Sequence, residues 1–252
     1  MYRSRLEIAG RSALVTGGAR GIGSEIVRAL NEFGAHVLIV DILSEEGRQV
    51  AAELGREDAR VEFYEADVRD RAAVTAAFDH AESLFGSLQI VVTSAGVAWH
   101  GPSETVGQED WRFVMDTNVD GTFWAAQEAG KRLSRGGSVI TIGSMSGLIV
   151  NRPQDQTAYN ASKAAVHALT SSLATEHAKD GIRFNSIAPG YIGTDLTQHV
   201  RKDWLEEWDA LTPVGHMGTP ADVASLAAFL ASDAAAFMTG SVVVVDGGYT
   251  SW

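Results

Sequence analysis

The 252-residue sequence has no cysteine and no long run of apolar residues. Without cysteine, neither disulfide bonds nor thiolate-bound metal sites can form. No segment approaches the roughly 18 consecutive apolar residues of a transmembrane helix. The first residues, Met1–Glu7, include basic side chains with no apolar segment after them, so we expect no signal peptide and a cytoplasmic location.

Positive charge is also scarce, because the sequence has 20 Lys and Arg residues but 32 Asp and Glu residues, which gives a net charge of −12. A surface of this sign repels the phosphates of nucleic acids and anionic lipids. We therefore expect neither nucleic acid nor a membrane as a partner, and a small soluble ligand instead. The seven histidines show no metal-ligand spacing, so we expect no catalytic metal.

The sequence alternates short runs rich in β-branched residues with longer segments rich in Ala, Glu and Arg. The predicted strands are 12–16, 36–40, 61–64, 88–92, 138–142, 183–187 and 242–245. Helices are predicted at 21–33, 44–54, 70–85, 108–133 and 158–173, and a last one begins with the capping sequence Thr219–Asp222. This order predicts one α/β domain over residues 1–252, with a doubly wound parallel sheet.

One stretch, at about 192–218, departs from the alternation because it is polar, contains Trp204 and Trp208, and has a weak strand signal. A long insertion late in a compact domain is usually functional or mobile. We interpret it as a lid of one or two short helices.

A glycine-rich turn follows the first predicted strand and opens the first long helix, with the sequence TGGARGIG at 16–23. Such a turn lets the backbone approach a pyrophosphate, whose charge is met by the N–H groups of the helix N-terminus. The second strand ends at Asp41, near the expected spacing of about 20 residues. A carboxylate there accepts hydrogen bonds from the adenosine ribose and repels a 2′-phosphate. NAD is therefore preferred, although Arg20 could favour NADP.

Further polar or small residues follow the third and fourth strands, at Asp67-Val68 and at Ser94-Ala95-Gly96. Ligands of open α/β sheets bind outside the carboxyl ends of the strands. Asp67 could accept a hydrogen bond from an adenine amino group, and the small residues would leave room for the nucleotide.

Tyr159 and Lys163 lie four residues apart in an Ala-rich segment, so a helix places them on one face. A nearby cation lowers the pKa of a phenol, which makes Tyr159 a candidate acid or base near neutral pH.

The ordered set of motifs resembles the short-chain dehydrogenase/reductase family over essentially the full length of the chain. The motifs are TGGARGIG at 16–23, Asp67, Ala95-Gly96, Asn118–Gly121, Gly143–Gly147, Tyr159 with Lys163, Asn185–Gly190 and Asp246–Gly248. The resemblance implies a Rossmann-type sheet of seven strands with helices on both faces. One departure is Ser94, where many members have Asn; its hydroxyl can still donate and accept.

Four residues match the catalytic set of that family. The resemblance implies that Tyr159 exchanges a proton with the substrate oxygen, that Ser144 polarises this oxygen, and that Lys163 lowers the pKa of Tyr159 and binds the nicotinamide ribose. Asn118 would fix a water that relays the proton through Lys163. The implied cofactor-binding set is Gly17, Arg20, Gly21, Ile22, Gly23, Asp41, Ile42, Asp67, Val68, Ser94, Ala95, Gly96, Tyr159, Lys163, Pro189, Gly190, Ile192 and Thr194.

The loop between Ser144 and Tyr159 would line the substrate side, and its Ser146 and Asn151 could hydrogen-bond several hydroxyl groups. An acyl-chain pocket would need apolar walls instead. Together with the chain's ending, this loop resembles the galactitol and related sugar-alcohol dehydrogenases of the family. A polyol or ketose substrate is therefore favoured. Other secondary alcohols and ketones, 3-oxoacyl thioester reduction, and a non-enzymatic NAD-binding role remain alternatives.

The helices at 108–133 and from Tyr159 carry apolar or small residues on more than one face, including Phe123, Trp124, Ala161 and Ala168. In the family these helices form a subunit interface and the last strand a second one, which implies a homotetramer. Some relatives hold a structural magnesium ion near the carboxyl terminus, but the sequence gives no ligand set for one.

Overall fold

The computed structural model describes residues 1–194, 197 and 201–251. Its sheet has seven parallel strands in the order β3-β2-β1-β4-β5-β6-β7. They are β1 Ser12–Thr16, β2 His36–Asp41, β3 Val61–Glu65, β4 Ile90–Thr93, β5 Ser138–Ile142, β6 Arg183–Pro189 and β7 Val242–Val245. The predicted doubly wound α/β sheet is confirmed, and each predicted strand is present with small shifts at its ends.

The helices are α1 Tyr2–Arg5, α2 Gly21–Glu32, α3 Ser44–Leu54, α4 Arg71–Phe85, α5 Gln108–Met115, α6 Gly121–Arg132, α7 Thr157–His177, α8 Lys202–Leu211 and α9 Pro220–Ala231. One apolar core packs α2 and α9 against the sheet, through residues such as Ile26, Leu30 and Ala227. The other packs α4, α6 and α7, through Phe78 and Leu173 among others. Both faces of the central strands are therefore covered, which explains why every residue of β1, β4, β5 and β6 is buried.

The strand order reverses between β1 and β4, because β2 and β3 lie on one side of β1 and β4–β7 on the other. At such a point the two connecting segments leave β1 and β4 in opposite directions, so a crevice opens beyond the carboxyl ends. The glycine turn after β1 and the Ser94–Gly96 turn after β4 border this crevice.

The helix predicted at 108–133 is interrupted in the structure. A π-helical segment, Asp116–Asp120, joins α5 to α6. Its wider turn contains Asn118, whose side chain forms hydrogen bonds with the backbone of Val97 and with Ser162 of α7. Single π turns inside α-helices occur frequently at functional sites.

Two features lie near the end of the chain. The capping sequence of α9 forms a capping box, in which the Asp222 carboxylate accepts the Thr219 N–H at 2.7 Å. Within the predicted lid at 192–218, the structure places α8; residues 195, 196 and 198–200 lie outside the described residues. The ends of this stretch are held together, since Gly193 N donates to Gly218 O at 2.9 Å.

No helix in the described ranges is both long enough and apolar enough to cross a lipid bilayer.

Candidate active site

A cavity of about 570 Å³ extends along the carboxyl edge of the sheet. All of the predicted site residues except Asn118 line it. They are Gly17, Arg20, Gly21, Ile22, Gly23, Asp41, Ile42, Asp67, Val68, Ser94, Ala95, Gly96, Ser144, Ser146, Asn151, Tyr159, Lys163, Pro189, Gly190, Ile192 and Thr194. The parallel sheet thus brings together side chains that are far apart in the sequence.

The glycine turn after β1 is packed so closely that side chains are excluded. Gly17 has φ +69°, and a Cβ on it would lie 2.4 Å from Ala95 N. A Cβ on Gly23 would lie 1.9 Å from Gly17 O. The turn therefore presents bare backbone and the N-terminus of α2 to the cavity, which suits the pyrophosphate of a nicotinamide dinucleotide.

Asp41, at the end of β2, is held in place by the backbone. Its two carboxylate oxygens accept the N–H groups of Ala19 and Leu43, each at 3.1 Å. Arg20 precedes α2 on the same side of the cavity and is exposed. A fixed carboxylate and an exposed guanidinium thus border the same cavity, and their contact with an adenosine ribose stays a prediction.

Asp67 faces the cavity but is paired with Arg69, an interaction that the sequence reasoning missed. The Arg69 guanidinium donates to both carboxylate oxygens at 2.6–3.0 Å. These hydrogen bonds lower the pKa of Asp67 below its usual value. The expected contact with adenine must therefore share this carboxylate with Arg69.

Lys163 is buried one turn after Tyr159 on α7. Its Nζ donates to Ile142 O at 2.9 Å and lies 5.5 Å from the centre of the Tyr159 ring. Burial lowers the pKa of Lys163 to about 8, because the ammonium loses most of its hydration. The two side chains share a helix face, as their spacing predicts.

The effect of Lys163 on the pKa of Tyr159 that the resemblance implies stays a prediction. Burial raises the pKa of Tyr159 above its ordinary value, and only the Ser144 side chain acts in the opposite direction. The reason is that the free-energy cost of removing the phenolate from water exceeds the stabilisation that the Ser144 hydrogen bond gives it.

Ser144 follows β5 and begins a 3-10 turn at Met145–Gly147. Its Oγ accepts the Ser146 N–H at 3.1 Å and lies 3.0 Å from Ser146 Oγ. The two hydroxyl groups therefore form a pair on the cavity wall beside Tyr159.

Asn118 lies behind the wall and not on it. Both hydrogens of its amide are used, on Val97 O and on Ser162 Oγ, each at 2.9 Å. Its Oδ1 accepts Val97 N at 2.8 Å, so the side chain positions the loop after β4. The amide hydrogens are thus not available to a relay water, and that role stays a prediction.

Three buried residues on the substrate side were missed as site residues by the sequence reasoning. Gln154 and Gln156 lie in the loop after Ser144, and Trp208 lies in the predicted lid; all three line the cavity. The loop was recognised as polar, but the sequence carries no signal for which of its amides turn inward.

His167 is a further residue that the sequence reasoning missed. It lies one turn after Lys163 on α7, and its Nε2 is 3.4 Å from Ser144 N. A Cβ on Gly143 would lie 2.2 Å from that Nε2, so this glycine makes room for the imidazole under Ser144. Burial and the charge of Lys163 lower the pKa of His167 to about 4, which keeps the ring neutral.

Among the described residues, no group of three or more His, Asp or Glu side chains is arranged to hold a metal ion.

The crossover at β1 and β4, the glycine turn and the Ser144–Tyr159–Lys163 group together define a dinucleotide-dependent oxidoreductase site. Comparison with known proteins gives the same class. A sequence model of the family described as "Enoyl-(Acyl carrier protein) reductase" matches residues 17–250. The chain belongs to the short-chain dehydrogenase/reductase family, whose members use a nicotinamide cofactor, NAD or NADP, and it acts on CH–OH groups.

Several relatives cover the chain nearly end to end. Galactitol 2-dehydrogenase (L-tagatose-forming) from Cereibacter sphaeroides is 45% identical over 100% of this chain and 99% of its own. Galactitol 2-dehydrogenase from Rhizobium johnstonii is 42% identical with the same coverage. A sorbose reductase from Candida albicans is 37% identical over 96% of this chain and 87% of its own.

Solved structures agree with the fold. The crystal structure of gox2181 superimposes with a TM-score of 0.96 at 41% identity, covering 100% of both chains. A short-chain dehydrogenase/reductase from Serratia marcescens gives a TM-score of 0.92 at 31% identity, over 96% of this chain and 99% of that one.

The buried neutral His167 predicts that stability falls with acidification. The unfolded chain binds a proton at this residue below a pH of about 6.5, whereas the folded chain does so only below about 4. Lowering the pH from 7 to 5 should therefore cost the folded state about 2 kcal/mol through this residue. Urea unfolding at both pH values measures the loss, and His167→Leu should reduce it by that amount.

A matched control is His216→Gln, which replaces an exposed histidine instead of the buried one. An equal loss in wild type and His167→Leu would contradict the assignment of a neutral buried imidazole.

Proposed function

We propose that the protein is an NAD-dependent polyol dehydrogenase, which interconverts a secondary alcohol of a sugar alcohol and the corresponding ketose. The observation that carries this proposal is the wall beside Ser144 and Tyr159. It consists of Ser146, Asn151, Gln154 and Gln156, all buried and all able to exchange hydrogen bonds with hydroxyl groups. The galactitol and sorbose enzymes among its relatives support the same substrate class.

In this proposal each catalytic side chain has one task. A bound nicotinamide would supply the hydride acceptor for alcohol oxidation and the hydride donor for ketone reduction. Tyr159 exchanges the proton with the substrate oxygen, and the Ser144 hydroxyl donates to that oxygen as charge develops on it. Lys163 holds positive charge near the phenol and the cofactor ribose, while Asn118 positions the loop after β4.

The raised pKa of Tyr159 gives the direction of its pH dependence. Ketone reduction uses the protonated phenol and alcohol oxidation uses the phenolate. Because burial keeps the phenol protonated at neutral pH, reduction is favoured there and oxidation increases as the pH rises.

The proposed preference for NAD over NADP depends on Asp41. Its carboxylate is fixed by two backbone N–H groups, so it cannot turn away from a ribose phosphate without losing both. The negative charges of Asp41 and of a ribose 2′-phosphate bound beside it would repel each other strongly in this partly buried site. Arg20 is exposed and able to move, so it offers a weaker competing attraction. The cytoplasmic location expected from the sequence stays a prediction.

An assay panel tests the substrate class. It contains galactitol and other hexitols, 2-ketoses, aliphatic diols, simple secondary alcohols and an acetoacetyl thioester, each with NAD and with NADP. We expect the highest kcat/KM for a hexitol or ketose with NAD. A higher kcat/KM for the thioester would move the protein to the acyl-carrier class named by its family model, and binding of NAD without any turnover would mark a non-enzymatic protein.

The role of Tyr159 is tested by Tyr159→Phe, which removes the hydroxyl and keeps the ring. Loss of general acid/base catalysis should lower kcat by about 100-fold or more. Cofactor affinity, followed by the quenching of protein fluorescence, should stay close to that of wild type. Turnover within a few fold of wild type would refute the assignment.

We also propose a homotetramer. Support comes from a small-residue face on α7, where Ala161 and Ala168 are exposed two turns apart, and from α5, which exposes Trp111 and Phe113. At the sheet edge, β7 exposes Val244. Light scattering should give four times the mass of the chain, and Ala168→Arg should dissociate the assembly by placing a charge on that face. A monomer in wild type would contradict the proposal.

We propose that the stretch at 192–218 acts as the lid of a single domain. Its helix α8 reaches the cavity through Trp208, whose Nε1 donates to Arg152 O and to Gln154 Oε1, each at 3.1 Å.

A further inference from the structure

The substrate wall contains three buried carboxamides whose hydrogen bonds form one connected chain. Asn151, Gln154 and Gln156 are each 4–5% exposed. At one end of the chain is Trp208 on α8, and at the other are Ser146 and Ser144. A buried amide must place its oxygen and its NH₂ group correctly, since each mistake leaves an unsatisfied polar atom.

Trp208 decides the direction of this chain. An indole N–H can only donate, so the group of Gln154 that faces it must be the oxygen. The NH₂ group of Gln154 then donates to Tyr191 Oη at 3.0 Å and to Gln156 Oε1 at 3.3 Å. Because its oxygen is used in this way, Gln156 must direct its own NH₂ group to the opposite side.

That NH₂ group has more acceptors than hydrogens. Gln156 Nε2 lies 2.8 Å from Asn160 Oδ1, 3.0 Å from Asn151 Oδ1 and 3.2 Å from Ser146 Oγ. Two hydrogens cannot satisfy three acceptors. Asn151 Oδ1 accepts from Gln156 and keeps a further lone pair, Ser146 Oγ also receives the Ser144 hydroxyl, and both residues line the cavity.

The remaining member of the network has no spare capacity. Tyr191 Oη donates to Arg152 O at 3.0 Å and accepts from both Asn151 Nδ2 and Gln154 Nε2. Its ring stacks on Trp208 with centroids 4.0 Å apart, which fixes the indole. The remaining acceptor capacity of this part of the cavity wall thus lies at Asn151 and Ser146, next to Ser144.

We propose that Trp208, Gln154 and Gln156 form an ordered relay that selects substrates with a second hydroxyl group next to the reacting carbon. The relay holds Asn151 and Ser146 as acceptors for that hydroxyl. Ser146 Oγ is 3.0 Å from Ser144 Oγ, so a group that it binds is a neighbour of the oxygen that Ser144 polarises. A substrate without this hydroxyl cannot form that additional hydrogen bond and binds less well.

The inference rests on the proposed function, because it presupposes that Ser144 and Tyr159 hold the reacting oxygen. Within that function it makes Trp208, Gln154 and Gln156 specificity-determining positioning residues. They act through Asn151 and Ser146 and do not touch the reacting atoms.

The test compares butane-2,3-diol with butan-2-ol, which differ in the second hydroxyl, and uses galactitol as the larger substrate. Trp208→Phe keeps an aromatic ring against Tyr191 and removes the indole N–H that Gln154 Oε1 accepts. Gln156→Met removes the NH₂ group at similar volume. Each variant should lower the ratio of kcat/KM for the diol to that for the alcohol by about 10-fold, mainly through KM for the diol.

Trp204→Phe is the matched control, because Trp204 lies on the same helix and packs against His100 and Trp208, with ring centroids 5.7 and 6.3 Å apart, but is not a member of this chain of hydrogen bonds. It should leave the ratio within twofold of wild type. Thermal unfolding and NAD binding check that each variant is folded. If Trp208→Phe does not fold, Gln156→Met decides alone.

Two results would overturn the relay. Equal losses for diol and alcohol would indicate a general structural role, and an unchanged ratio in both variants would indicate no role. In either case, wild-type turnover of galactitol with NAD would leave the proposed function standing. Failure of the wild type to oxidise galactitol and the diol would instead remove the substrate class, and the relay with it.

Discussion

The parallel alignment of the seven strands is the constraint on which the site depends. Every strand ends at the same edge, so the turns after β1, β2, β3, β4, β5 and β6 all open into one cavity. Parallel strands need both faces covered, and the two apolar cores provide this cover. Because the strands are buried and fixed, the polar residues just beyond them are held on a rigid frame, which a catalytic arrangement requires.

Burial then sets the electrostatics of this cavity. Tyr159, Lys163 and His167 follow one another along α7 at one-turn intervals. Burial raises the pKa of Tyr159 and lowers those of Lys163 and His167, so it favours the neutral form of each group. A neutral phenol is a proton donor, a lysine with a pKa of about 8 is a modest cation, and a neutral imidazole leaves its Nε2 free to accept. These three side chains therefore carry little charge. A charged cofactor bound beside them would shift their pKa values more than it would at an exposed site.

In the substrate wall, the direction of each hydrogen bond determines the orientation of the next side chain. A donor-only indole fixes one amide, which fixes the next, and the effect reaches the hydroxyl pair at Ser144 and Ser146. This links α8 to the chemistry, because Trp208 belongs to the helix of the predicted lid. The wall and the catalytic residues are coupled by this geometry, although α8 lies about fifty residues after the loop that it orders.

The sequence by itself predicted the doubly wound parallel sheet, the glycine turn, Asp41 and the Tyr159–Lys163 pair. These depend on local rules, such as periodicity, glycine spacing and the placement of residues four apart on a helix, whereas Ser144 was implied by the resemblance to the family. Only the tertiary structure decided that Asp67 pairs with Arg69, that Asn118 turns away from the cavity, and that burial raises the pKa of Tyr159. It also decided which amides of the loop before Tyr159 point inward. The physical reason is that burial and hydrogen-bond direction depend on neighbours brought close by folding, such as Trp208 and Gln154, and no local pattern in the sequence specifies those neighbours.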